Sequence, residues 1–234
     1  MPKLMHDKIF SPFLAVFVAV AVPAMRGQGN LIVNGSFEEP LITDLTRGIS
    51  VSTDTLPGWT AYPNGTFFCV QTHSGIYWPW PVDGIQQMTF NGGSTPPGGY
   101  LEQTIKTPVG ANCELSFYVG HGGWGGGDMA VRADLLDASG GIIASITGHA
   151  LQNGNDFNTS PTVLYFVAAS PSTRLRLTDV STGAFASDCM LDMVTVDVIG
   201  TSGVPEPTTA IAGALLLVPL VFGSFRGVRK TRVG

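Results

Sequence analysis

Residues 113–120 read CELSFYVG, and residues 172–179 read STRLRLTD. In the first stretch Cys113, Leu115, Phe117 and Val119 fall on one side of an extended chain, with Glu114, Ser116 and Tyr118 on the other. In the second, Leu175 and Leu177 oppose Arg174 and Arg176. A side-chain period of two with one polar side marks a strand of an antiparallel sheet whose outer surface meets water.

The same reading extends outward through short β-branched and aromatic runs, separated by clusters of Gly, Pro, Asn and Ser. It predicts strands over 31–37, 66–72, 84–90, 100–106, 113–120, 129–137, 141–147, 162–169, 173–179 and 190–199. Residues 40–57 pattern weakly and are expected to form a long loop. Helical signals are nearly absent between residues 30 and 204. Many short strands without helices predict an all-β fold, a two-sheet antiparallel sandwich of jelly-roll type. The 30 glycines suit a fold rich in turns.

Both ends differ from this core. Lys3 and Lys8 precede an apolar stretch over 9–24 that is broken by Pro12 and Pro23, with small side chains at Val22 and Ala24. That is the layout of a secretory signal peptide cleaved between residues 24 and 28. At the other end, VPEP (residues 204–207) is followed by 18 residues free of charge and then by Arg226, Arg229, Lys230 and Arg232. As a helix those 18 residues would span about 27 Å, the short limit for a bilayer. Pro219 within them is tolerated in a membrane helix. The basic cluster would hold the C-terminus on the cytoplasmic side as a membrane stop, which places the core outside. The expected organisation is a signal peptide over 1–27, a β-sandwich over 28–200, and a linker over 201–207. A transmembrane helix over 208–225 and a basic cytoplasmic tail over 226–234 complete it.

Between residues 27 and 204 there are 15 acidic and 5 basic side chains, a formal charge of −10. A core this acidic repels nucleic acid and anionic lipid, so nucleic-acid binding is not expected. Cys69, Cys113 and Cys189 all lie in it; an odd number in an exported chain allows one disulfide, and three pairings stay open. Their spacing does not suggest zinc. None of His73, His121 and His149 sits in a nucleophile-elbow or metalloprotease motif, and no catalytic residue is nominated. An enzyme is therefore not expected, a small glycan hydrolase being the alternative.

Aromatic side chains point instead to binding. Tyr77, Trp78 and Trp80 crowd GIYWPWP (residues 75–81), and Trp124 stands beside His121 in the glycine-rich GHGGWGGGD (residues 120–128). Sugar rings offer C–H faces that stack on aromatic rings and hydroxyls that need polar partners, here Asp83, Gln87 or Asn91. Prolines around Trp78 and Trp80 stiffen that loop and lower the cost of ordering it on a ligand. Equally, Tyr77, Trp78 and Trp80 could cover one open end of the sandwich, and Trp59 reads as a core anchor.

The ordered series NLIVNGSFEEP, LPGWT, DGIQQMTFNG, GYLEQTI, CELSFYVG and CMLDMVTVDVI resembles the galactose-binding-domain-like jelly rolls of secreted bacterial proteins, notably the choice-of-anchor surface proteins and related carbohydrate-binding modules. The resemblance implies first and last strands lying close together, with both chain ends at one side. It also implies a structural calcium ion held by Glu38 and Asp192, although Met193 stands where relatives carry a further polar residue. The tail is similar to the PEP-CTERM sorting signal of Gram-negative bacteria. That similarity implies an exosortase-type protease as partner, reading Val204, Pro205, Glu206 and Pro207 and releasing the domain to the cell surface or an exopolysaccharide matrix. Glycan is then the expected ligand, through Tyr77, Trp78, Trp80, Trp124 and His121; a structural or adhesive matrix protein without a small-ligand site is the alternative.

Overall fold

The computed structural model describes residues 29–42, 49–50, 56–62, 68–72, 79–90, 97–151, 154–183 and 186–201. The expected signal peptide, PEP motif, membrane helix and basic tail lie outside them. Among the described residues every regular element is a strand, and no helix is long and apolar enough to cross a membrane.

The strands in chain order are β1 (Ile49–Ser50), β2 (Thr60–Tyr62), β3 (Phe68–Thr72), β4 (Gln86–Phe90), β5 (Tyr100–Lys106), β6 (Ala111–Gly123) and β7 (Gly127–Asp128). They continue as β8 (Ala130–Leu136), β9 (Ile142–His149), β10 (Asp156–Phe157), β11 (Thr162–Val167), β12 (Ser172–Asp179), β13 (Thr182–Gly183) and β14 (Ser187–Thr201). A seven-stranded sheet runs β1-β3-β4-β14-β6, with β10 and β11 both pairing β6. A five-stranded sheet runs β2-β5-β12-β8-β9, and β13 pairs β7 in a small ribbon. All pairings are antiparallel. The protein is an all-β, two-sheet antiparallel sandwich of jelly-roll type.

The alternation read from the sequence becomes the core. Cys113, Leu115, Phe117 and Val119 of β6 are buried with Leu191, Val194, Val196 and Val198 of β14. Leu101 and Ile105 of β5, Leu175 and Leu177 of β12, and Val131, Ala133 and Leu135 of β8 belong to the same cluster. Nearly complete burial of side chains this size supplies the main driving force, about 1.5–3 kcal/mol for each.

The first expected strand does not form. Residues 31–37 run as a turn, because Asn34 (φ 54°) and Phe37 (φ 57°) take left-handed conformations that break an extended ladder. The segment nevertheless docks on the last strand. Leu31 N–H donates to Val196 O at 2.8 Å, and Val194 N–H to Gly35 O at 2.9 Å. A Cβ at residue 35 would collide with the Val194 carbonyl, so the approach requires glycine. Phe37 is fully buried, its ring 5.8 Å from that of the buried Trp59, whose Nε1 donates to Asn34 O. The short strands β1, β2, β7, β10 and β13 escape the sequence reading because two or three residues cannot display a period. Cys113 and Cys189 are buried free thiols, so neither forms a disulfide.

Candidate functional site

Tyr77, Trp78 and Asn91 lie outside the described residues. Trp80 and Trp124 are 74% and 71% exposed. Gln87 is buried and donates to Pro79 O, and Asp83 accepts from Ser36 Oγ, so both hold the loop before β4 in place. His121, expected beside Trp124, is 1% exposed. It continues the inward parity of Cys113 to Val119 and pairs across strands with Cys189. Burial lowers its pKa; the backbone groups of Gly125 and of His121 itself act the opposite way without meeting hydrogen-bond geometry, and neither ring nitrogen has a partner. A neutral, interior ring cannot share a binding surface with Trp124.

Glu38 and Asp192 both hold one segment. Glu38 Oε1 accepts the N–H groups of Ile85 and Gln86 at 2.8 and 2.7 Å. Asp192 Oδ2 accepts those of Val82 and Asp83 at 2.7 and 3.0 Å, and its Oδ1 that of Met193 at 2.7 Å. Gly84, at φ 69°, turns between these bonds, and a Cβ there would meet the Glu38 carboxylate. Burial pushes the Asp192 carboxyl up to about 7, against the three main-chain donors. Three of the four oxygens of these two carboxylates are thus engaged by main-chain N–H groups. Among the described residues no group of three or more His, Cys, Asp or Glu side chains could hold a metal. The two carboxylates act as a clamp on residues 82–86.

The side chains most suited to a ligand lie elsewhere, on the outer face of the five-stranded sheet. Antiparallel register stacks its outward residues into rows. One row holds Tyr62, Tyr100, Thr178, Arg132 and Thr147; the next holds Thr60, Glu102, Arg176, Asp134 and Ser145. Tyr62 and Tyr100 stack with ring centroids 4.5 Å apart, and Arg176 Cζ lies 4.5 Å from the centre of the Tyr100 ring. Arg176 Nε donates to Glu102 Oε1 at 2.7 Å; Arg132 Nε donates to Asp134 Oδ2 at 3.0 Å, and Ser145 Oγ to Asp134 Oδ1 at 2.6 Å. Burial alone would lower the pKa of Arg176, but the Glu102 hydrogen bond and charge raise it.

Both contacts are made through the arginine Nε. An open cleft of about 460 Å³ lies over this region, lined by Pro97, Gly98, Tyr100, Arg132, Arg176 and Thr178 with Asp179 and Val180. It combines the Tyr100 ring with the guanidinium donors of Arg132 and Arg176, each fixed by a neighbouring carboxylate, the ingredients for a polyhydroxylated ligand. The sequence reading missed it. Tyr62 and Tyr100 are 38 residues apart and meet only through the β2–β5 pairing.

No protein-family model and no curated protein sequence matches the chain. Solved structures share its architecture at low identity. The enzymatically active domain of tailspike protein 4 from bacteriophage CBA120 is 15% identical with a TM-score of 0.46, over 71% of this chain and 21% of that one. An α-L-arabinofuranosidase bound to arabinose is 13% identical with a TM-score of 0.48, over 72% of this chain and 26% of that one. The chain thus spans about a fifth to a quarter of these two proteins. A CBM61 module in complex with β-1,4-galactotriose is 11% identical with a TM-score of 0.46, over 71% of this chain and 97% of that module. At these identities and scores the likeness carries no functional argument.

Proposed function

We propose that the chain is an exported, non-catalytic glycan-binding module whose site is the outer face of the five-stranded sheet. The observation that carries this reading is the Tyr62–Tyr100 stack, capped by Arg176 at the edge of an open cleft. A sugar ring can lay its C–H face on such a platform while its hydroxyls meet Arg132 and Arg176. The N-terminal segment directs export. The tail from Val204 onward is a temporary membrane stop cut by an exosortase-type protease, which delivers the domain to the cell surface or exopolysaccharide matrix of a Gram-negative bacterium.

Glycan-array binding of wild type against Tyr62→Ala tests the site. Loss of signal in the variant supports it, whereas full retention overturns it. Trp80→Ala and Trp124→Ala belong in the same series, because the exposure of both rings favours a second reading in which the loops bind instead. Wild type without signal on any glycan would favour an adhesive matrix protein. Mass spectrometry of the exported protein tests processing: an intact C-terminus through Gly234 would exclude it.

A further inference from the structure

All four Lys and Arg side chains among the described residues stand on the outer face of the five-stranded sheet, in a chain whose core is otherwise acidic. They fall one to a row. Arg132 lies opposite Thr178, Arg176 occupies the next row, Arg174 the next, opposite Thr104, and Lys106 the last, opposite Ser172. Successive rows are two residues apart, about 6.8 Å, so the four cations form a stripe about 20 Å long. It crosses the sheet diagonally, from β8 through β12 to β5.

Two of the cations are partly neutralised and two are not. Arg132 and Arg176 each spend Nε on a carboxylate. Arg174 comes no closer than 3.8 Å to Glu102 and its Nε has no hydrogen-bond partner, while Lys106 makes no ion pair among the described residues. A second recess, of about 210 Å³, opens beside Arg174, lined by Thr104, Ser139, Ser172 and Asp137, whose Oδ1 accepts from Ser139 and Gly141. The stripe therefore begins at the aromatic platform, and Arg174 and Lys106, which lack the close carboxylate bond of the other two, lie at its far end.

Resting on the glycan reading above, we infer that the ligand is a linear acidic polysaccharide whose carboxylates recur along the chain, a polyuronate. A planar guanidinium fork matches a carboxylate in two-point contact, and a run of cations matches a run of uronates. Glu102 and Asp134 are nearly buried and already paired with Arg176 and Arg132, while the aromatic platform at the start of the stripe suits the C–H face of a sugar ring; this favours acidic glycan over nucleic acid. Among the described residues, attraction for a polyanion is confined to this stripe.

The experiment uses the full-length chain with polygalacturonate and with the same polymer methyl-esterified, which keeps the sugar and removes the charge. The expected result is binding to polygalacturonate that weakens as salt rises, with binding to the ester reduced at least about tenfold (~1.4 kcal/mol). Arg174→Gln with Lys106→Gln should weaken polygalacturonate about tenfold and leave the ester unaffected. Tyr62→Ala should weaken both polymers. Equal binding of the two polymers by wild type overturns the acidic ligand while leaving the glycan reading standing. Binding of neither, together with silence on a neutral glycan array, overturns both. A single-stranded oligonucleotide bound more tightly than polygalacturonate also overturns the inference. The polymer comparison needs only wild-type protein, so equal binding of the two polymers overturns the acidic ligand even where a variant fails to fold.

Discussion

Tyr62 stands directly opposite Tyr100 across the β2–β5 pair, with ring centroids 4.5 Å apart and planes inclined by 23°. Tyr62 is 41% exposed, so one side of the stack is open to a ligand. An exposed aromatic pair contributes about 0.5–1.5 kcal/mol beyond its buried area. Tyr62→Ala should therefore lower thermal stability only slightly, by about 1 kcal/mol or less, while weakening glycan affinity about tenfold. Isothermal titration beside a melting curve separates the two effects. A large loss of stability with unchanged affinity would make the stack a structural device.

Glu102 is nearly buried and accepts from Arg176 at 2.7 Å, with Arg174 3.8 Å away. Removing Arg176 leaves that carboxylate without its close partner. Because the guanidinium is about one-third exposed, solvent screens part of the loss, and Arg176→Gln should cost about 1–2 kcal/mol. A double-mutant cycle with Glu102→Gln should return most of that as coupling, whereas the cycle with Arg174→Gln should return much less. Equal couplings in chemical denaturation would contradict the geometry.

The Asp192 carboxylate satisfies three main-chain donors at a fully buried position. Asp192→Ala leaves Val82, Asp83 and Met193 N–H groups without that acceptor, at about 1–3 kcal/mol for each buried donor that water cannot reach. Asp192→Asn keeps one oxygen acceptor and should lose less than Asp192→Ala. Since these oxygens are engaged by N–H groups, a chelator should leave the melting midpoint unchanged. A fall of several degrees in EDTA that calcium reverses would restore the ion to this site.

His121 carries the clearest pH signature. Burial lowers its pKa below 6.5, so beneath that pH the unfolded chain binds a proton that the folded chain refuses. Stability is therefore lost as pH falls from about 6.5 toward the folded value. Asp192, raised to about 7, and Asp179, also raised by burial, act in the opposite direction, because the folded state holds their protons at higher pH. The difference between wild type and His121→Leu isolates the histidine. The variant should gain on wild type progressively from pH 7 to pH 5 in thermal melts. A constant difference across that range would mean that His121 protonates in the fold without penalty.

Much of the fold was legible in the sequence because period-two patterning is local. Tyr100–Lys106 was read with its observed ends, and β6, β8, β9, β11, β12 and β14 within a few residues. Residues 31–37 were misread, since an apolar stretch resembles a strand until the left-handed Asn34 and Phe37 are known. The burial of His121 was also available: it shares the parity of Cys113 to Val119, and extending that strand by one more turn of the pleat places it inside.

By itself, then, the sequence determined the class of fold, the side of each strand that faces the core, and an acidic core set between two unlike ends. Only the tertiary structure decided which outward residues meet. Arg174 and Arg176 lie on one strand and share a face by alternation alone. Lys106 and Arg132 join their stripe, and Tyr62 reaches Tyr100, only through long-range strand register. Register is fixed by the burial of the opposite face, because a slip of one residue would turn Leu101, Leu175 and Leu177 out to water. The core that the sequence spells out is thus what aligns the site that the sequence does not show.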